Sequence, residues 1–205
     1  MGFQFNDHWK LSGKHAFLSP SGYSWIRYDE EKLITTWSKS QAATRGTELH
    51  AFASEAIRLK IKMDTRIKTT LNMYVNDVLG YRMASEQVLY GSEYCFGTAD
   101  ALGYFTPKKK DGILPPPILR IFDLKTGVSK ASFDQLMVYA ALFIMEYGRD
   151  LNITAFDIDY DLRIYQNDEI LVPEFEVDPV EVIRIMDQIK TFTRILDERK
   201  AAGLE

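Results

Sequence analysis

Apolar residues along this chain change repeatedly between a helical and a strand-like repeat, an order that neither an all-helical nor an all-strand fold accommodates. From Gly46 to about Met63, Leu49, Phe52, Ala53, Ala56 and Ile57 recur at helical spacing, and a second helix carries Ile67, Leu71, Tyr74, Val75 and Val78. The period then falls to two. Gln87 to Tyr90, a Gly91-Ser92 turn, and Tyr94 to Phe105 read as a hairpin rich in aromatic and β-branched residues. A loop with Lys108-Lys109-Lys110-Asp111-Gly112 and Pro115-Pro116-Pro117 precedes a third strand, Ile118 to Lys125. Phe133 to Tyr147 returns to helical spacing and is expected to close at Gly148. Two strands flank the turn-prone Asn167-Asp168, and Asp178-Pro179-Val180-Glu181 opens a final helix with the pattern of a capping box. Near the start, Ser19-Pro20 before Tyr23, Trp25 and Ile26 reads as a further capped helix. This order predicts an α/β fold with a mixed central β-sheet flanked by helices.

The 205 residues, 46% of them hydrophobic, suffice for one well-filled core, so a single domain over 1–205 is expected, with 1–45 as an N-terminal extension and 46–205 as its core. No run of eighteen apolar residues occurs, and Met1 to Lys14 lacks the pattern of a secretory signal; the expectation is a cytoplasmic protein with no membrane partner. Cys95 is the lone cysteine, which rules out an internal disulfide, a zinc knuckle and a four-cysteine iron–sulfur cluster. Any metal must therefore be held by oxygen and histidine ligands. The net charge of −4 argues against a globally basic nucleic-acid binder, so positive potential for such a partner must be local.

Asp100 falls on one predicted strand and Asp123 at the end of another, which brings two carboxylates toward one end of the sheet. Oxygen ligands of this kind suit Mg²⁺, a hard cation that offsets charge on a phosphate and lowers the pKa of an attacking water. Lys125 lies two residues after Asp123, and side chains two apart share a strand face, so its ammonium reaches the same place. The backbone carbonyl of Leu124 lies between them as a further candidate ligand.

Gly97-Thr98-Ala99-Asp100 followed by Asp123-Leu124-Lys125-Thr126-Gly127 resembles the G-x-x-D and D-x-K-T-G signatures of RecB-type nucleases, a branch of the PD-(D/E)XK superfamily. Gly46-Thr47-Glu48-Leu49-His50 resembles that branch's G-T-x-x-H helix, and Gln135-Leu136-Met137-Val138-Tyr139 its Q-x-x-x-Y helix, all four in family order. The start His15-Ala16-Phe17-Leu18-Ser19-Pro20-Ser21, with Trp25, is similar to the opening of phage-encoded exonucleases. The resemblance implies a restriction-endonuclease-like core and a Mg²⁺-dependent deoxyribonuclease, with Mn²⁺ as a substitute. It points to an exonuclease on DNA ends in recombination or repair, in a bacterial or phage-infected cell. Carried over, it makes Asp100, Asp123, Lys125 and His50 catalytic, with His50, Asp100, Asp123 and the Leu124 carbonyl on the metal and Gln135 and Tyr139 against the nucleic acid. Ala99 departs from the Pro of the superfamily name. No Gly-rich nucleotide loop is present, so a helicase or single-strand annealing protein is an expected partner.

Each residue also has a plainer use. Asp-x-Lys alone is commonly an exposed ion pair, His50 alone a hydrogen-bonded core histidine, and Gln135 with Tyr139 a buried amide and hydroxyl. Glu86 is a candidate third acidic ligand or an exposed strand carboxylate, and Glu55 is a weaker candidate of the same kind. The Lys108-Lys109-Lys110 run is a solvated loop tip or a phosphate grip, and Tyr23, Trp25 and Trp37 are core aromatics or stacking platforms for bases. A nuclease fold that binds DNA without turnover, or only with a partner, is the alternative to the enzyme.

Overall fold

The computed structural model describes residues 2–14, 16–39, 48–109, 112, 114–125 and 131–204. His15, Gly46, Thr47, Lys110, Asp111, Thr126 and Gly127, on which expectations above rest, lie outside the described residues. The elements are α1 (Glu30–Lys39), α2 (Glu48–Arg58), α3 (Thr70–Gly80), β1 (Ala84–Ser92), β2 (Cys95–Phe105), β3 (Ile118–Leu124), α4 (Asp134–Leu151), β4 (Asp159–Gln166), β5 (Glu169–Leu171) and α5 (Pro179–Ala201). The five strands form one mixed sheet in the order β1-β2-β3-β4-β5. All pairs are antiparallel except β3 with β4, whose parallel pairing requires a long crossover that α4 supplies. The architecture is therefore α/β, with helices flanking a five-stranded mixed sheet.

Alternation along β3 divides the core between the two faces. Leu119 and Ile121 join Leu136 and Phe143 of α4 and Ile185 and Ile189 of α5, whereas Phe122 and Leu124 join Ala53 and Ile57 of α2 and Tyr74 and Val78 of α3. Residues 1–45 are no mere extension where they are described: Leu18, Trp25, Ile26 and Leu33 are buried in the α4–α5 core. Among the described residues, no helix is long and apolar enough to cross a membrane.

Several local expectations are corrected. The β1–β2 turn is Glu93-Tyr94, not Gly91-Ser92. Gly91 lies inside β1, where a Cβ would come within 2.7 Å of Leu142 Cδ2, so this glycine serves the close approach of α4. Gly148 likewise does not end its helix. α4 continues to Leu151 and closes on Asn152 in the left-handed conformation, while Gly148 makes room for the Ile153 carbonyl. Pro20 does open a helix, but one of 3-10 type over Pro20–Arg27, and the Ser19 side chain does not cap it. Phe52 and Ile67 are each 54% exposed, outside the apolar stripes assigned to them, and Ile67 precedes α3. At α5, Asp178 accepts from Val180 N–H at 2.9 Å, but Glu181 pairs with Arg184 instead of closing the capping box.

Candidate functional site

The site forms where β2 and β3 part. Their ladder ends at Ala101 opposite Phe122, and the Leu124 N–H is taken at 2.8 Å by the Asp100 carboxylate instead of a backbone carbonyl. Asp100 thus bridges the opening strands and leaves its other oxygen 3.4 Å from His50 Nδ1 on α2. Beyond the last residue of β3, the Lys125 N–H still bonds the Tyr165 carbonyl at 2.9 Å, so strand geometry extends one residue further. Asp123 and Lys125 consequently share a face, with Lys125 Nζ 3.2 Å from Asp123 Oδ1 and 3.0 Å from Oδ2.

The first turn of α4 holds this pair. Gln135 donates through Nε2 to Asp123 Oδ1 at 3.0 Å and accepts from Lys125 Nζ through Oε1 at 2.7 Å, which fixes the orientation of its amide. Asp123 is buried, and its Oδ2, although close to the ammonium, has no partner in hydrogen-bonding geometry. One turn on, the Tyr139 hydroxyl donates to the Thr98 carbonyl, and its ring rests on Gly97. A Cβ at Gly97 would sit 2.5 Å from Pro20 Cδ and 3.5 Å from Tyr139 Cε1, so the glycine is demanded by packing. Gln135 and Tyr139 are both buried, with their polar ends directed to Asp123, Lys125 and the β2 backbone instead of an open groove.

Glu86 is the residue that spacing alone left ambiguous. Ser85 pairs with Ala101 and Gln87 with Ala99, so Glu86 lies opposite Asp100, and its φ of 52° marks a distortion of β1 there. One ligand atom from each of His50, Glu86 and Asp100 lies within 4.8 Å of the others. Glu55, by contrast, forms a surface pair with Arg58 at 2.7 Å. Two surface hollows, of about 350 and 220 Å³, lie along α5 and include none of these residues.

Charge is concentrated here without full compensation. Desolvation, then the Asp100 carboxylate, pushes Glu86 up to about 7, even though much of the rest of that side chain is in solvent. Burial and Asp100 push Asp123 up to about 6 against the opposing pull of Lys125. Donation to the Asp100 carboxylate raises His50, and burial together with the charges of Asp100, Glu86 and Asp123 keeps the Tyr74 phenol beside the cluster protonated.

This donor set fits a hard divalent cation. Two carboxylates and an imidazole converge, Asp123 adds a crowded acid with an unsatisfied oxygen, and a cation would offset the burial and the Asp100 charge that hold Glu86 and Asp123 above the ordinary carboxylate range. The chain matches no protein-family model and no curated protein.

Proposed function

We propose that this protein is a divalent-metal-dependent nuclease with a restriction-endonuclease-like core of the PD-(D/E)XK type. The observation that carries the reading is the pairing of Asp123 with Lys125 at the parting of β2 and β3, with Asp100 opposite. His50, Glu86, Asp100 and Asp123 would hold Mg²⁺ or Mn²⁺, and the Leu124 carbonyl would be a further ligand. A cation so held supplies Lewis-acid stabilisation of the phosphate and lowers the pKa of a water.

The residues of the chain then divide the remaining work. Lys125 places a fixed positive charge beside the reacting phosphate, and Gln135 holds both that ammonium and Asp123, so neither needs to reorganise as charge builds. Tyr139 acts further back as a positioning residue, tying α4 to the strand that carries Asp100. DNA is the proposed substrate, with attack at strand ends as the proposed mode.

The test is degradation of end-labelled linear and closed circular DNA by the full chain with Mg²⁺, Mn²⁺ or EDTA. Metal-dependent loss of linear DNA alone, falling at least a hundredfold in Lys125→Ala with an unchanged circular-dichroism spectrum, is the expected result. Cleavage by Lys125→Ala at the wild-type rate would overturn the reading.

A further inference from the structure

A local source of positive potential lies at the far end of the helix that carries His50. Residues 58–68 read Arg-Leu-Lys-Ile-Lys-Met-Asp-Thr-Arg-Ile-Lys, five cations with one aspartate, in a chain whose net charge is −4. That segment therefore carries +4 and the rest of the chain −8. Arg58 is bound to Glu55 and Arg66 to Asp64, whereas Lys60, Lys62 and Lys68 make no ion pair among the described residues.

The backbone of this connection is held in place from below. Asn76 takes the Met63 N–H at 2.9 Å and returns a bond to its carbonyl, and Asn72 donates to the carbonyls of Asp64 and Ile67. α2 ends in a Schellman turn, in which Lys60 N–H reaches the Ile57 carbonyl and Ile61 N–H the Ala56 carbonyl. The left-handed position of that turn, where glycine is usual, is Lys60 with a φ of 57°. Ile61, whose counterpart in such turns commonly packs on the helix, stays 50% exposed beside Leu59 at 51%. Every residue from Arg58 to Lys68 except Met63 is exposed, so a pinned backbone presents its cations and apolar side chains outward.

We propose that this α2–α3 connection grips the phosphate backbone of DNA beside the carboxylate cluster. The choice of polyanion rests on the nuclease reading. His50 and Arg58 are eight residues apart on one helix, about 12 Å along its axis. Phosphates of one duplex strand are spaced about 3.4 Å along the axis, so the grip engages DNA roughly three or four nucleotides from the cluster. Uncompensated lysines release condensed counterions when they meet phosphates, and the net negative charge of the rest of the chain favours binding of the polyanion at this edge. A basic surface with exposed apolar residues also suits an anionic membrane, but this one is a turn pinned to α3 and not a free amphipathic helix.

The experiment compares the full chain with its Lys60→Glu/Lys62→Glu/Lys68→Glu variant, three exposed positions outside the carboxylate site. Fluorescence anisotropy with labelled duplex and single-stranded DNA of about 30 nucleotides, in Ca²⁺ between about 50 and 200 mM salt, reads affinity and salt dependence. Hydrolysis of bis(p-nitrophenyl) phosphate with Mn²⁺ reads the chemistry without the grip. The expected result is at least a tenfold loss of affinity, a salt slope shallower by about 2 to 3, and unchanged hydrolysis of the small diester. Equal affinity and slope in the two proteins overturns the proposal. So does binding to phosphatidylserine vesicles that the variant loses while it keeps its DNA affinity. If neither protein hydrolyses a phosphodiester but the variant still loses DNA, the nuclease reading fails and the grip stands.

Discussion

At the scale of single residues, the site is a place where charge is held against its own repulsion. Asp123 and Glu86 titrate near 6 and 7, above their ordinary values of 3.8 and 4.5, and His50 is raised above 6.5. A raised folded-state pKa gives stability that is full below the unfolded value and is lost as pH rises through the folded one. The metal-free protein is therefore expected to melt at a lower temperature as pH climbs from about 5 to 8, and Mg²⁺ or Mn²⁺ should restore part of the loss at pH 8. Asp123→Asn removes the buried charge and keeps the shape. In EDTA at pH 8 it should raise stability by about 1–2 kcal/mol, or about 2–8 °C, with the gain vanishing only below about pH 4. A melting temperature at pH 8 unchanged or lowered in that variant would contradict the crowding of these carboxylates. The proximity of Asp123 and Lys125 was legible in the sequence because a period of two puts both on one face. For Gln135 and Tyr139 the sequence left a buried amide and hydroxyl and a place against substrate both open, because a helix face is visible in spacing but what covers it is not.

At the scale of elements, register decides which residues meet. A two-residue turn at Gly91-Ser92 would place Glu86 opposite Gly97; the observed turn at Glu93-Tyr94, with an irregularity between Tyr90 and Ser92, places it opposite Asp100. Glycine misled twice for the same reason. Gly91 and Gly148 look like chain punctuation, yet each exists to admit an atom from elsewhere, Leu142 Cδ2 or the Ile153 carbonyl. Gly97 does the same for Pro20, joining the N-terminal 3-10 helix, β2 and α4 at one contact. Gly97→Val should force these elements apart and cost about 1–3 kcal/mol, seen as a lower urea midpoint with an unchanged slope. A midpoint equal to the wild type would show that Pro20 can yield.

Over the whole molecule, the sheet is covered on both faces, and the N-terminal segment completes one of them. Phe3 lies 4.9 Å from Tyr104 and 5.4 Å from Tyr147, ring centre to ring centre, while the Asn6 N–H bonds the Tyr147 hydroxyl at 2.8 Å. His8 and Tyr90 N–H both bind Glu146, which ties this segment and β1 to the same turn of α4. Phe3→Ala should therefore cost about 2 kcal/mol, less than the full penalty for a buried phenylalanine, read as a drop in melting temperature; no change would mean that the segment contributes nothing to the fold. The order of elements from α2 onward and the face shared by Asp123 and Lys125 were legible in the chain itself, because both follow from hydrophobic period and backbone geometry over a few residues, whereas α1 carries too weak a repeat to be read. Long-range packing set the rest: β3 and β4 run parallel, Glu86 and His50 meet Asp100, and the connection that carries Lys60, Lys62 and Lys68 is pinned to α3 just past the helix of His50. Those relations depend on strand register and on close packing between elements far apart in the chain, which local periodicity does not encode.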